Sequence, residues 1–393
     1  GNCHWGTDRN FDQKTSKEFI LNENHRRKLM LMRGQIKKGL FMFAALSWLI
    51  ITGCERQPES YSHTDFAMGT VTNITLYGTG DLEEKEKNII KEVKKLEDTI
   101  SWRIEDSQLS KINRELKENN GKAKASGNMK NWISQALQIS RDSYCDGRNT
   151  VDPTIGALTQ LWDFESDDPK VPSASSIQNA LQGNLAVNSS QTTIDEEGTI
   201  TAKNPNTVFD FGAYGKGIGT DVIKETLEKD DDISGAMIAL GGSIYVYGEK
   251  PDGENWNVGI QTPSKGSGEV LGSISTKGDT FISTSGDYEK YFVDETTGKT
   301  YFHILDPKTG YSVETDITSC TIICDSGINS DGLSTACFAM GPEKSQELLK
   351  KYDAAAVFVD KKNHVYVSGD VDFSLSDKNY KEVSLEEFLK ANQ

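Results

Sequence analysis

The chain has 393 residues, of which 36% are hydrophobic and 26% are charged, and this composition is typical of a globular protein with a substantial core. Its 43 basic and 59 acidic residues give a formal net charge of -16 at pH 7. Because nucleic-acid binding requires clustered Lys and Arg, we expect no nucleic-acid partner.

The N-terminal part is predicted to be a secretion signal followed by a tether. Residues 26–38 contain six basic side chains and no acidic one, and the apolar run 40–51 follows them. This run is too short to span a membrane comfortably and is typical of a signal peptide. Residues 51–54 read Ile-Thr-Gly-Cys and resemble a bacterial lipobox, so Cys54 is the predicted lipidation site. An ordinary cleavable signal or a short anchor helix is the alternative.

These features divide the chain into three parts. They are an N-terminal extension with a lipoprotein signal peptide (1–53), a lipidated tether (54–63) and a folded domain (64–393). A methionine at position 30 or 32 would be a better start for the signal, so we interpret the first 25 residues as an upstream extension without function. The lipid would hold the protein at the cell membrane on its extracytoplasmic, periplasmic side.

The pattern of apolar residues in the folded domain predicts both helices and strands. The predicted helices are 82–100, 127–144, a short one that starts at 172–173 and runs to 181, 217–229, 331–340 and 342–352. The predicted strands are 69–77, 207–211, 235–240, 243–247, 256–261, 271–275, 280–284, 299–305, 319–323, 355–359 and 364–367. Strands that follow one another with few helices between them favour an α+β fold with mixed, largely antiparallel sheets and packed helices.

The cysteines of the folded domain show no zinc-type pairing. Cys145, Cys320, Cys324 and Cys337 are scattered among apolar residues, and no second ligand pair accompanies them. We expect buried free thiols, with a disulfide as the alternative in an exported protein.

Asp331 and Thr335 are four residues apart within a run of small and apolar residues, 329–341. On a helix such positions share a face, so a carboxylate and a hydroxyl would point at one spot. Two oxygen ligands of this kind are half of a site for a hard cation such as Mg²⁺. The alternative is that Asp331 caps the N-terminus of the helix.

A glycine-rich segment, 210–219, joins a predicted strand to a predicted helix and contains four glycines. This composition allows the backbone to approach an anionic ligand at a helix N-terminus, although the segment does not match the P-loop pattern. Asp210 could accept hydrogen bonds from a ribose or a base, and Lys216 could neutralise a phosphate. A plain structural turn is the alternative.

Two further segments carry polar side chains next to predicted strands. In 283–292, Ser285 and Tyr288 are potential donors to a phosphate or a substrate, and a polar hairpin is the alternative. His303 ends a predicted strand among apolar neighbours. It is either a core residue whose hydrogen bonds are satisfied inside the protein or a base that activates a hydroxyl near neutral pH.

Nine motifs occur in order between about residues 63 and 390, and together they resemble the ApbE family of flavin transferases, the FAD:protein FMN transferases. The motifs are 67–70, 107–113, 152–154, 210–217, 240–242, 256–260, 283–292, 303–310 and 331–341. The chain departs from the family pattern at two places, with Gly215 where Ala often precedes the Lys and Ser312 where Pro often follows Thr-Gly-Tyr. Neither change affects a proposed side-chain ligand. The resemblance makes 64–393 a flavin transferase domain.

The resemblance implies an enzyme that uses FAD and Mg²⁺, attaches FMN through a phosphoester to a Thr or Ser of a partner protein, and releases AMP. It implies Mg²⁺ binding by the carbonyl of Ala213 and the side chains of Asp331 and Thr335, with Asp331 and His303 as catalytic residues and His303 as the base. The implied FAD contacts are Met68, Trp102, Asp152, Pro153, Asp210, Lys216, Ser285 and Ile304.

The resemblance also implies a class of partner. The expected acceptors are subunits of sodium-pumping quinone reductases or Rnf-type electron-transfer complexes. Two alternatives remain open, namely an FAD pyrophosphatase that releases free FMN and AMP, and a flavin-binding lipoprotein without catalytic activity.

Overall fold

The computed structural model describes residues 58–182, 186–263 and 268–393. The predicted signal peptide, the lipobox and Cys54 lie outside these ranges. Within them, no helix combines the length and the apolar character that crossing a membrane requires.

The described residues form eight helices and nineteen strands. The helices are α1 (Leu82–Ile100), α2 (Gln108–Glu118), α3 (Gly127–Asp142), α4 (Gly156–Trp162), α5 (Ala174–Leu181), α6 (Gly215–Leu227), α7 (Gly327–Lys351) and α8 (Leu385–Ala391). The strands are β1 (Glu59–Ala67), β2 (Thr70–Gly78), β3 (Lys122–Lys124), β4 (Tyr144–Cys145), β5 (Arg148–Asn149), β6 (Thr192–Ile194), β7 (Thr199–Ala202), β8 (Ile233–Leu240), β9 (Ser243–Gly248), β10 (Trp256–Gln261), β11 (Val270–Thr276), β12 (Thr280–Gly286), β13 (Tyr291–Val293), β14 (Thr300–Phe302), β15 (Ile317–Cys324), β16 (Ala355–Asp360), β17 (His364–Ser368), β18 (Asp372–Leu375) and β19 (Lys381–Glu382).

A nine-stranded sheet in the order β1-β2-β8-β9-β12-β15-β16-β17-β19 forms the centre of the domain. All its neighbouring strands are antiparallel except β17 and β19, which are parallel. One face of the sheet packs against α1, α6 and α7, and the other packs against the small sheet β10-β11-β18. The predicted α+β class with largely antiparallel sheets is therefore confirmed.

Helix α1 illustrates how the sequence forms these layers. The Asp81 side chain accepts a hydrogen bond from the Glu84 amide at 3.0 Å and so caps the helix N-terminus. Residues on one face are buried against the sheet, at the spacing of three and four that an amphipathic helix requires. They include Ile89, Val93 and Leu96.

Two of the predicted strands differ from the structure. The predicted strand 207–211 is wrong, because Val208 makes only one isolated bridge, to Ile155. The backbone there forms hydrogen bonds with loops and side chains instead. The Phe209 amide donates to the side-chain oxygen of Asn113, and the Phe209 carbonyl accepts from the side-chain nitrogen of Asn113. The predicted strand 299–305 is reduced to β14.

Helix α2 and strand β1 are among the elements that were not predicted, although their sequence signals are present. Helix α2 has Ser107 as its N-cap and buries Leu109, Ile112 and Leu116. Strand β1 includes residues 59–63, which the sequence analysis assigned to the tether, and pairs along its length with β2.

The cysteines that the structure describes are free thiols, as predicted. Cys320, Cys324 and Cys337 are buried, and Cys145 is partly exposed.

Helices α6 and α7 cross in very close contact because each has a glycine at the crossing point. A Cβ atom added to Gly217 would lie 2.1 Å from the Gly327 carbonyl oxygen, and one added to Gly327 would lie 2.1 Å from the Gly217 carbonyl oxygen. Helix α7 begins at Gly327 after the N-cap residue Ser326, so Asp331 lies inside the helix. The alternative interpretation of Asp331 as an N-cap is therefore wrong.

Candidate functional site

A cleft opens at the end of the central sheet where the β1–β2 turn, the β8–β9 turn and the end of β12 lie side by side. Ten of the residues identified from the sequence line it. They are Trp102, Asp152, Asp210, Ala213, Lys216, Ser285, His303, Ile304, Asp331 and Thr335. Residues from five separate motifs of the chain, together with Trp102, thus meet in one cavity.

Two predicted contacts, Met68 and Pro153, do not line this cleft. The Met68 amide donates a hydrogen bond to Glu97 at 2.9 Å. The Pro153 carbonyl accepts a hydrogen bond from the Asp210 amide at 2.8 Å. Both residues therefore support the walls of the cleft in this structure, and their contact with FAD stays a prediction.

Asp331 is held at the N-terminal end of α6. Its carboxylate accepts a hydrogen bond from the Gly217 amide at 2.9 Å and one from the Ser243 hydroxyl at 3.3 Å, and the residue is 3% exposed. The positive end of the helix dipole favours a negative charge at this position. One turn further along α7, the Thr335 hydroxyl lies 3.2 Å from the Ser285 hydroxyl.

The carbonyl of Ala213 completes a set of three oxygen donors that line the cleft. Because the Gly217 amide donates to Asp331, the Ala213 carbonyl four residues earlier accepts no hydrogen bond from the described residues. A carbonyl, a carboxylate and a hydroxyl are ligands that Mg²⁺ prefers, with phosphate oxygens and water in its other positions. No group of three or more His, Cys, Asp or Glu side chains among the described residues offers an alternative metal site. The donor set therefore fits Mg²⁺.

Lys216 lies in the first turn of α6 and faces several acidic groups in the cleft. Burial lowers the pKa of its ammonium group, but the charges of Asp331, Glu289 and Glu165 outweigh this effect and raise the pKa above its usual value. Lys216 is therefore fully charged at neutral pH. A cation at a helix N-terminus is suited to binding phosphate.

His303 is neutral in this environment. Burial, together with the charges of Lys216 and Lys290, lowers the pKa of its imidazole to about 3. Its Nδ1 atom is buried and has no hydrogen-bond partner among the described residues. A neutral imidazole lining the cleft has a lone pair that is available to accept a proton.

Two buried carboxylates shape the wall of the cleft. Asp152 accepts hydrogen bonds from the amide and hydroxyl of Thr154 at 2.8 and 2.6 Å, and from those of Ser189 at 3.0 Å each. Asp210 accepts hydrogen bonds from the Thr159 hydroxyl at 2.5 Å and the Gly212 amide at 2.6 Å, and burial raises its pKa. Both side chains already have partners, so their first role in this structure is to order the loops around the cleft.

An ion-pair cluster that sequence analysis missed lies at the entrance of the cleft. Glu165 pairs with Arg103 at 3.0 Å and also with Lys290, and Arg103 stacks over the Trp102 ring at 4.3 Å. Lys290 lies within the 283–292 motif and Arg103 follows Trp102, so both were adjacent to predicted site residues. Glu165 had no distinguishing signal, because it lies outside the nine motifs and outside every predicted helix and strand.

Comparison with known proteins identifies the family. The sequence model of the ApbE family matches residues 68–358, which is most of the chain. The chain belongs to the ApbE family. The predicted family is therefore confirmed.

Curated relatives and solved structures agree with the ApbE assignment. The FAD:protein FMN transferase of Haemophilus influenzae is 24% identical over 329 residues, which cover 81% of this chain and 92% of the relative. The FAD:protein FMN transferase of Vibrio cholerae is 29% identical over 309 residues, which cover 77% of this chain and 88% of the relative. The crystal structure of the ApbE protein from Thermotoga maritima is 27% identical with a TM-score of 0.68, covering 81% of this chain and 97% of that one. The ApbE fold thus extends over nearly the full length of these relatives.

Proposed function

We propose that this ApbE-family protein is a magnesium-dependent FAD:protein FMN transferase. In the proposed reaction, a Thr or Ser hydroxyl of a partner protein attacks the phosphorus atom of the FMN half of FAD. A phosphoester bond forms, the pyrophosphate P–O bond breaks, and its electron pair leaves with AMP. The hydroxyl proton passes to a base of the enzyme. The relatives that carry this enzyme name support the assignment.

The observation that carries the proposal is the convergence of three kinds of group in one cleft. Ala213, Asp331 and Thr335 provide oxygen donors, Lys216 provides a cation and His303 provides a neutral imidazole. Bound Mg²⁺ would neutralise pyrophosphate oxygens and polarise the phosphoryl group. Lys216, beside the N-terminus of α6, would bind a phosphate oxygen and orient the FMN phosphate.

His303 is the proposed base. Burial and the charges of Lys216 and Lys290 oppose its protonation and lower its pKa to about 3. The negative charge of the FAD pyrophosphate would offset these two cations, so we expect the pKa of His303 to rise when FAD binds. The imidazole of His303 would then accept a proton from the acceptor hydroxyl most readily when FAD is bound.

The test is direct. The chain from Cys54 onward is incubated with FAD, MgCl₂ and a purified acceptor subunit of a sodium-pumping quinone reductase. We expect a fluorescent acceptor band after denaturing electrophoresis and one AMP per flavin transferred, and no transfer with EDTA. Asp331→Asn should reduce transfer at least about 100-fold, as is usual for loss of a key electrostatic group. The control Asp325→Asn changes an exposed aspartate outside the cleft and should transfer at the wild-type rate.

The same assay separates the alternatives. Release of AMP and free FMN without labelling of the acceptor would identify an FAD pyrophosphatase instead. Tight FAD binding without AMP release, with or without Mg²⁺, would identify a non-catalytic flavin-binding protein. An extracytoplasmic position at the membrane, with lipid on Cys54, belongs to the same proposal and is tested by labelling cells with a palmitate analogue and comparing Cys54→Ser.

A further inference from the structure

The catalytic cleft opens to solvent through an outer vestibule. Gly69, at the β1–β2 turn, and Tyr291, at the start of β13, line the vestibule but not the cleft. Four other residues line both cavities, namely Phe164, Glu165, Glu289 and Lys290. The vestibule is therefore continuous with the cleft, and a group that reaches His303 from solvent by this route passes between the β1–β2 turn and β13.

Exposed apolar side chains occur on both chain segments, the β1–β2 hairpin and β13, that contribute residues to this opening. Six large apolar residues among the described ranges are exposed, and four of them are close in the chain to Gly69 or on β13. Phe66 and Val71 are 61% and 52% exposed and face each other across the β1–β2 pair. Tyr291 and Val293 are 38% and 49% exposed and share one face of β13. We call these four residues the entrance rim.

The packing of the domain does not explain the exposure of Phe66 and Val71. The neighbours Ala67 and Thr72, which point to the opposite face of the same two strands, are 2% and 0% exposed and belong to the interior. Phe66 and Val71 therefore point outward from a well-packed hairpin. Exposed apolar side chains grouped in this way at the mouth of a cavity are characteristic of protein-binding surfaces.

Strand β1 adds a second property that suits a polypeptide partner. Among the described residues, β1 pairs only with β2 and is the edge strand of the central sheet. Its outer edge presents backbone amide and carbonyl groups, which an extended segment of another protein can bind as an additional strand. This edge ends at the β1–β2 turn, next to the vestibule.

We propose that the entrance rim is the docking surface for the acceptor protein, whose extended segment carries the hydroxyl that receives FMN. This inference rests on the proposed function, because a macromolecular acceptor must deliver its hydroxyl through the vestibule to His303. The remainder of its chain then lies against the rim and the edge of β1. FAD occupies the cleft itself, so the rim contributes to acceptor binding and not to FAD binding.

A matched pair of variants tests the rim. Val71 on the rim and Val270 on β11 are 52% and 53% exposed, and Val270 lines neither cavity. We expect Val71→Ser to lower kcat/KM for the purified quinone-reductase acceptor subunit about tenfold. The double variant Phe66→Ser/Val71→Ser should lower it further. Val270→Ser should stay within twofold of wild type. The KM for FAD and the basal release of AMP without acceptor should be unchanged in all three.

Several results would overturn the inference. They are an unchanged kcat/KM for the acceptor in the rim variants, an equal loss in Val270→Ser, or a parallel loss of basal FAD cleavage. Light scattering that shows a wild-type dimer which Val71→Ser dissociates would assign the rim to a second copy of the chain instead. Reduced binding of Val71→Ser to anionic lipid vesicles, with normal acceptor kinetics, would assign it to the membrane. Failure of the wild-type enzyme to label the acceptor would refute the proposed function, which distinguishes that outcome from a failure of the docking surface.

Discussion

Replacing Gly217 with alanine should damage the site without touching any of its polar groups. The added Cβ atom would lie 2.1 Å from the Gly327 carbonyl oxygen and 2.7 Å from the Asp331 Cβ atom. Carbon atoms in favourable contact are about 3.5–4.0 Å apart, so α6 and α7 must separate by about 1 Å. The nearest obstacle is backbone, and a change of side-chain rotamer cannot relieve it.

The expected effects on stability and on activity differ in size. Overpacking of this kind costs about 1–3 kcal/mol, partly offset by about 1 kcal/mol from the higher helix propensity of alanine. At about 2 °C per kcal/mol, the melting temperature should therefore fall by only a few degrees. A displacement of about 1 Å at Asp331 should reduce flavin transfer by about 100-fold.

The measurement is differential scanning fluorimetry together with the flavin-transfer assay, with Gly215→Ala as the control. Gly215 lies in the same first turn of α6, and its added Cβ atom would come no closer than 3.4 Å to Ile100 and 3.7 Å to Met68. This variant should keep wild-type activity. If Gly217→Ala also keeps wild-type activity and stability, the close crossing of α6 and α7 does not position Asp331, and the reasoning is wrong.

Three further predictions concern single side chains. His303→Ala should lower kcat about 10²- to 10⁴-fold. Because the pKa of His303 is about 3 before FAD binds, the wild-type kcat/KM for FAD should show no loss attributable to His303 between pH 5 and 8. A fall of this kcat/KM at acidic pH that disappears in His303→Ala would contradict the prediction. Glu165→Gln should lower the Kd for FAD about two- to fivefold in a fluorescence titration, because it releases Arg103 and Lys290 from their carboxylate partner; weaker binding would refute it. Burial raises the pKa of Asp221 to about 6, although the amides of Gly327 and Ile328 donate to it. The stabilising contribution of Asp221 is complete below about pH 4 and is lost as the pH rises through 6, so the free energy of unfolding should fall over this range. In urea titrations, Asp221→Asn should reduce this fall by on the order of 2 kcal/mol. An equal fall in the wild type and the variant would refute the prediction.

Local patterns in the sequence predicted most of the elements that surround the site. Helix α1 and strand β2 were recognised because their apolar residues follow helical and strand periodicity over long segments. The strand predicted at 207–211 failed for a physical reason, since its backbone groups bond the Asn113 side chain and the Pro153 carbonyl instead of a neighbouring strand. Periodicity reports which side chains are buried and does not report where the backbone hydrogen bonds go.

The candidate site was predicted as a set of residues and not as an arrangement. Asp331 and Thr335 share a helix, so their common face follows from the spacing alone. Glu165 could not be found in this way, because its importance comes from Arg103 and Lys290, which are 62 and 125 residues away in the chain. Long-range contacts of this kind depend on the packing of separate elements.

By itself, the sequence determined the family, the α+β class and the chemical types of the cleft residues, because these follow from motif order, from periodicity and from side-chain chemistry. Only the tertiary structure decided that Asp331 lies inside α7 and binds the amide of Gly217, since this contact depends on the approach of two helices at Gly217 and Gly327. The same holds for the neutral state of His303, which results from burial and from the charges of Lys216 and Lys290. Distances between residues remote in the chain set both properties, and spacing along the sequence does not encode them.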